Sequence, residues 1–172
     1  SFRLDTASGD LVVRQSAEGA RPGMSGVRFG LGPVLCRGNL LLPAWEGIKA
    51  KRKGEFLHWE SADWDWPFSW SLQFVVFEDA LGGVWIHGED TSLQFKKLHY
   101  DYIGGGRWYV AFDTENLAPL EHHTAASSIA WRINVYEGDW RVPVDRFKAW
   151  AYEAYEISKK NNKPVFNNLP EQ

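Results

Sequence analysis

Turn signals recur along this chain at short intervals, and the segments between them alternate apolar and polar residues. Leu81-Gly-Gly83, Gly88-Glu-Asp-Thr-Ser92 and Gly104-Gly-Gly106 are such signals. Val84 to His87 lies between the first two, and Leu93 to Tyr102 between the second and third. Arg107 to Asp113 follows with Trp108, Val110 and Phe112 on one face, and Ile129 to Tyr136 repeats the pattern with Ile129, Trp131, Ile133 and Val135. Side chains alternate across a strand, so this period-two spacing predicts strands. Many short strands separated by glycine-rich turns predict an all-β chain, folded as an antiparallel β-sandwich over residues 1–142.

The N-terminal part fits the same pattern less regularly. Phe2 to Asp5 and Leu11 to Arg14 flank Thr6-Ala-Ser-Gly-Asp10, a hairpin signal. Ser16 to Gly26 reads as a loop. Val27 to Leu35 contains Gly30, Gly32 and Pro33 and reads as an irregular strand. Leu40 to Pro43 is a short apolar strand, and Ile48 to Glu60 reads as a strand pair around Gly54.

The end of the chain changes period. Val144, Phe147, Ala151 and Ala154 fall at helical spacing, widened by Trp150 and Ile157. Pro143 suits a first helical turn, and Lys159 and Lys160 suit the negative end of the helix dipole. One amphipathic helix is expected over residues 143–160, packed on the sandwich, with residues 161–172 a linker-like tail.

The densest chemistry lies in Trp59-Glu-Ser-Ala-Asp-Trp-Asp-Trp66 and its continuation to Phe77. Ten tryptophans stand in 172 residues, and Trp59, Trp64, Trp66 and Trp70 fall within twelve. Trp70 to Phe77 alternates and reads as a core strand. Trp59 to Trp66 reads as a loop. Pro67 favours an extended backbone before it, which turns Trp66 outward. Indole rings stack on the C–H faces of sugars, and neighbouring acids hydrogen-bond hydroxyls. On that chemistry the expected carbohydrate-binding residues are Trp59, Trp64 and Trp66, with Glu60, Asp63 and Asp65. The competing expectation is that these rings fill the space between sandwich and helix.

Charge and composition exclude several classes. The net charge of −3 and a pI near 5.9 argue against a nucleic-acid partner. The basic run Lys49 to Lys53 is flanked by acids and reads as a solvated hairpin tip. No apolar run approaches a membrane span. The single cysteine, Cys36, permits no intrachain disulfide. His58, His87, His99, His122 and His123 lack zinc-ligand spacing, and no cofactor is expected, although a structural calcium ion is compatible with the composition. Gly104 to Gly106 lacks the rest of a phosphate loop. The adjacent acids Glu78/Asp79 and Glu89/Asp90 read as turn residues rather than a glycosidase pair.

Three segments resemble a known family. These are Ser71 to Ser92 with its Gly82-Gly83 and acidic turn, Lys96-Lys-Leu98, and Tyr136-Glu-Gly-Asp-Trp140 leading into Asp145 to Trp150. In this order they are similar to the N-terminal β-sandwich of multidomain glycoside hydrolases, the domain that precedes a (β/α)8 catalytic barrel. The resemblance spans residues 40–150. It implies a carbohydrate-active setting, a catalytic domain in a parent chain as partner, and no catalysis by the sandwich itself. An extracellular or cell-surface location follows only from the resemblance, since the sequence from Ser1 shows no signal-peptide pattern. The dense tryptophan loop departs from the family pattern.

The expected function is therefore non-catalytic binding of a polysaccharide or oligosaccharide. One alternative is a structural domain that buttresses a barrel and leaves an apolar patch exposed near the helix. Another is a small carbohydrate-active enzyme on a sandwich scaffold, with Glu89 or Asp90 as its acids.

Overall fold

The computed structural model describes residues 1–44, 47–50 and 61–155. The chain is mostly antiparallel β-structure with one C-terminal helix. In chain order the strands are β1 (Phe2–Asp5), β2 (Asp10–Val13), β3 (Ser16–Glu18), β4 (Gly26–Leu35), β5 (Asn39–Leu42) and β6 (Ile48–Ala50). They continue with β7 (Ser61–Trp66), β8 (Phe74–Asp79), β9 (Gly82–Gly88), β10 (Lys96–Gly104), β11 (Arg107–Glu115), β12 (Ala125–Ser127) and β13 (Trp131–Glu137). The helix α1 spans Arg141–Ala154.

Seven strands form one sheet in the order β1-β2-β13-β9-β8-β5-β6, and four form a second in the order β4-β11-β10-β7. A small pair, β12-β3, stands apart, and it places a strand where the sequence reads as a loop. Between the two large sheets lies the main core, including Trp64, Trp70, Phe77, Leu98, Val110, Phe112 and Trp131. The Phe112 and Trp131 rings are 4.4 Å apart, and Trp131 stacks with Trp70 at 6.2 Å. Aromatic pairs at such separations add roughly 0.5–1.5 kcal/mol beyond area burial.

Helix α1 makes a third layer on the other face of the seven-stranded sheet. Phe147 packs there with Phe74, Val76 and Trp85, flanked by Trp140, Val144, Trp150 and Ala151. This explains β8. Val75 and Phe77 face the other sheet while Phe74 and Val76 face the helix, so four successive residues are buried. A strand covered on both faces reads as a continuous apolar run.

The boundaries differ from expectation in three places. The β8 strand starts at Phe74, four residues later than expected. Trp70 forms an isolated bridge with Ala44 instead; it is fully buried, while Leu72 is exposed. Val135 does not join Trp131 and Ile133 in the core and is 72% exposed. The helix starts at Arg141, with Asp139 Oδ1 accepting a 2.8 Å bond from the Arg141 N–H, and Pro143 is buried in its first turn. The expectations for residues 51–60 and 156–172, including the helix end at Lys159 and Lys160, lie outside the described residues.

Candidate functional site

The structure divides the expected binding residues by the parity of β7. Strand β7 pairs with β10, matching Trp66 to Lys96, Trp64 to Leu98 and Asp63 to His99. Ala62, Trp64 and Trp66 point inward, and Asp63 and Asp65 point outward. Trp64 is 4% exposed and Trp66 9%, both within the inter-sheet core. The loop expected to display them is a strand, and its apolar positions had a large apolar space to fill. As they stand, the two rings offer no open face to a sugar. Trp59 and Glu60 lie outside the described residues.

Trp66 has a charged neighbour inside the fold. The Lys96 ammonium lies 3.9 Å from its ring centroid and 2.6 Å from Asp90 Oδ2, and it also donates to the Gln94 carbonyl. Asp90 further accepts from the Ser92 N–H and hydroxyl and the Gln94 N–H, at 2.8, 2.5 and 3.0 Å. Burial pushes the Asp90 carboxyl up, but the Lys96 and Ser92 hydrogen bonds outweigh it, and it sits below the usual carboxylate value. Burial likewise draws the Lys96 ammonium below its usual range. At the end of α1 the Tyr155 hydroxyl donates to the Asp90 carbonyl at 2.7 Å. The acidic turn thus fastens helix to sandwich. Its neighbour Glu89 turns elsewhere, to Arg132 at 2.6 Å, so the two carboxyls do not work as a pair.

The outer face of the four-stranded sheet is open and chemically rich. Asp65 and Lys97 are neighbours across β7 and β10, as are Asp63 and His99; Asp113 stands beside Lys97 on β11 and beside Arg28 on β4. His99 Nδ1 contacts Asp63 Oδ1, and His99 Nε2 lies 2.8 Å from Asp113 Oδ2. Arg28 grips Asp113 with two hydrogen bonds, Nε at 2.6 Å and Nη2 at 2.8 Å. Lys97 pairs with Glu115 at 3.0 Å. Partial burial pushes the Asp113 carboxyl up, yet hydrogen bonds from Arg28 and His99 hold it below the ordinary value. The same bond raises the Arg28 guanidinium.

Tyr109 completes this face. It projects from β11 opposite the irregular stretch of β4 and is 41% exposed. A Cβ on Gly30 would stand 2.3 Å from its hydroxyl oxygen, and one on Gly32 3.0 Å from its ring. The phenol therefore leans across β4 over backbone that only glycine leaves clear. Ala111, paired in register with Gly30 and fully buried, lies beneath the side chains between Tyr109 and the Arg28–Asp113–His99 group. Beyond that group a polar hollow of about 210 Å³ is lined by Ser25 to Arg28, Asp113 and Glu115.

Sequence reading found Asp63 and Asp65 but missed Arg28, Lys97, His99, Tyr109 and Asp113, and with them the exposed Asp101 of β10, which pairs in register with Tyr109. The signal was present. Once Trp108, Val110 and Phe112 face inward, Tyr109, Ala111 and Asp113 must face out. What the sequence lacked was the pairing that sets these residues beside one another.

A second charged cluster lies under α1. Asp10 accepts from Asn134 at 2.6 Å, Arg132 at 3.2 Å and Arg146 at 3.4 Å. His87 stacks on Trp85 at 3.9 Å and meets the edge of Phe147. Its Nε2 is 3.9 Å from Asp10 and its Nδ1 4.0 Å from Glu89, beyond hydrogen-bond reach. Burial lowers the His87 pKa to about 3, so the ring is neutral. Among the described residues, no group of three or more His, Cys, Asp or Glu converges as metal ligands would.

No family model matches the chain, and no curated protein is significantly similar to it.

Proposed function

We propose that the chain is a non-catalytic carbohydrate-binding β-sandwich of a glycan-degrading enzyme, with its ligand on the outer face of the four-stranded sheet. The observation that carries this reading is Tyr109, half-exposed and seated over Gly30 and Gly32, beside the hydrogen-bonded Arg28–Asp113–His99–Asp63 group. Sugars are bound by an aromatic ring against the C–H face and by fixed polar groups at the hydroxyls. Holding those groups in place before binding reduces the ordering cost. Asp63 and Asp65 keep the role expected of them, while Tyr109 takes the place of the tryptophans. Affinity electrophoresis through gels containing glucan, xylan, mannan or galactan tests the reading. Retardation by at least one polymer that Tyr109→Ala abolishes is expected; unchanged mobility on every polymer sinks it.

A second reading, that of a domain buttressing a catalytic barrel, is favoured by a different observation. Leu81 is 86% exposed and Val135 72%, and they line a crevice with Gly82, Gly83 and Tyr136 just ahead of α1. An apolar patch near the linking helix is what a docking face requires. In a parent enzyme carrying both units, Leu81→Asp would separate their thermal unfolding transitions; a single unchanged transition argues against it.

A further inference from the structure

We infer that the chain self-associates through β1, the outermost strand of the seven-stranded sheet, which pairs antiparallel with β1 of a second copy and centres on Leu4. This contact is independent of the glycan reading. The Ser1 amino group donates to the Arg14 carbonyl at 2.6 Å, and the Arg14 N–H to the Ser1 carbonyl at 3.1 Å. Bonded and non-bonded pairs alternate along an antiparallel ladder, so Arg3 and Asp5 also turn their backbone groups toward β2. Phe2 and Leu4 turn theirs toward the open edge, where no strand lies among the described residues. Such a row of free N–H and C=O groups is a template for another strand.

The same two residues carry uncovered apolar side chains. Phe2 is 72% exposed and Leu4 63%. Leu4 lies beside Leu11, and Leu11 beside Ile133, so they extend the inter-sheet face of the large sheet past its cover. On the opposite face of β1, Asp5 accepts from Arg132 at 2.9 Å. Arg3 is exposed, and its guanidinium has no partner among the described residues.

Charge selects both the partner and the register. Pairing centred on Leu4 sets Leu4 against Leu4 and each Arg3 against Asp5 of the other copy, two opposite-charge pairs related by a twofold axis. Moving the centre by one residue sets Arg3 against Arg3 or Asp5 against Asp5, and like charges directly opposite are destabilising. The edges of the four-stranded sheet are less suited to a second copy. The outward charges of β7, Asp63 and Asp65, are both acidic, and β4 contains Pro33, which has no N–H to donate. A contact between two four-residue strands is small, so the dimer is weak and forms as concentration rises.

The test is sedimentation velocity of the folded chain from micromolar to millimolar concentration, where reversible passage from monomer to dimer is expected. Arg3→Glu should weaken the dimer by about threefold or more, because each new carboxylate then faces Asp5. Arg21→Glu makes the same charge change in the exposed stretch before β4 and should leave it within about twofold. Mild oxidation then reads the register. In Leu4→Cys the two introduced thiols sit on Cα atoms about 5.5 Å apart, within disulfide reach. In Phe2→Cys they are about 13 Å apart along the strand. The native Cys36 is buried. Leu4→Cys should therefore cross-link as a dimer and Phe2→Cys should not. A monomer at every concentration overturns the inference. So does a dimer that Arg3→Glu leaves unchanged, or that Arg21→Glu weakens as much. Cross-linking of Phe2→Cys as fast as Leu4→Cys also overturns it, because the contact then lacks this register.

Discussion

Two clusters in this molecule use the same parts, a histidine between two acids with an arginine alongside. On the outer sheet face, His99 contacts Asp63 and Asp113 while Arg28 holds Asp113. Under α1, His87 stands between Asp10 and Glu89 while Arg132 pairs with both acids. The difference is the cover. Trp85 and Phe147 enclose His87 and leave its nitrogens beyond hydrogen-bond reach of either acid, whereas His99 is bonded through both nitrogens. The covered cluster acts on stability, because Asp10 and His87, each with 3% of its side chain exposed, have given up water and depend on their partners. The open cluster contributes less to stability and keeps Asp63 and Arg28, with 75% and 56% of their side chains exposed, accessible to a ligand.

The largest expected effect is on the covered side. Asp10→Ala removes the acceptor shared by Asn134, Arg132 and Arg146, and should cost about 3–5 kcal/mol in urea unfolding. A loss below about 1 kcal/mol would mean that water reaches this cluster and that cover is not what separates the two.

Next comes acid sensitivity. The folded state resists protonating His87, whose pKa falls from the ordinary 6.5 to about 3, while the unfolded chain takes the proton. Stability is then lost as pH falls from 6.5 toward 3, by at most about 1.4 kcal/mol per unit. His87→Phe keeps a ring on Trp85 and should flatten the decline above pH 4 in acid titrations followed by circular dichroism. Asp113 has a depressed pKa, so its contribution is present above the ordinary carboxyl range and lost only as pH falls through its lowered value. The open cluster should therefore fail at lower pH than the covered one.

Smaller effects are expected on the open side. Asp113→Asn should cost about 1 kcal/mol, reduced by added salt. Tyr109→Ala should change stability by less than about 0.5 kcal/mol, as surface substitutions usually do, yet abolish glycan retention. A large stability loss in Tyr109→Ala would recast the ring as packing rather than as a binding surface.

The fold was largely legible because β-strands with one buried face leave a period-two record, as in Trp108, Val110 and Phe112. The helix was legible through Val144, Phe147 and Ala151. The site was not. Asp63-Trp64-Asp65-Trp66 also alternates, but its aromatic and acidic chemistry matches that of an exposed loop, and Pro67 strengthened that reading. Parity says which residues share a face; only the pairing of β7 with β10 says that Trp64 lies against Leu98 inside the core. Arg28 and Asp113 are 85 residues apart in the chain, and nothing local in the sequence joins them.

The most direct measurement is a backbone and side-chain NMR titration of the folded chain with a retained oligosaccharide. Shift changes should concentrate at Arg28, Gly30, Gly32, His99, Asp101, Tyr109 and Ala111, with the Trp64 and Trp66 indole resonances little moved. Changes centred instead on Leu81, Val135 and the start of α1, or large movements of the Trp64 and Trp66 indoles, would contradict a ligand site on the outer face of the four-stranded sheet.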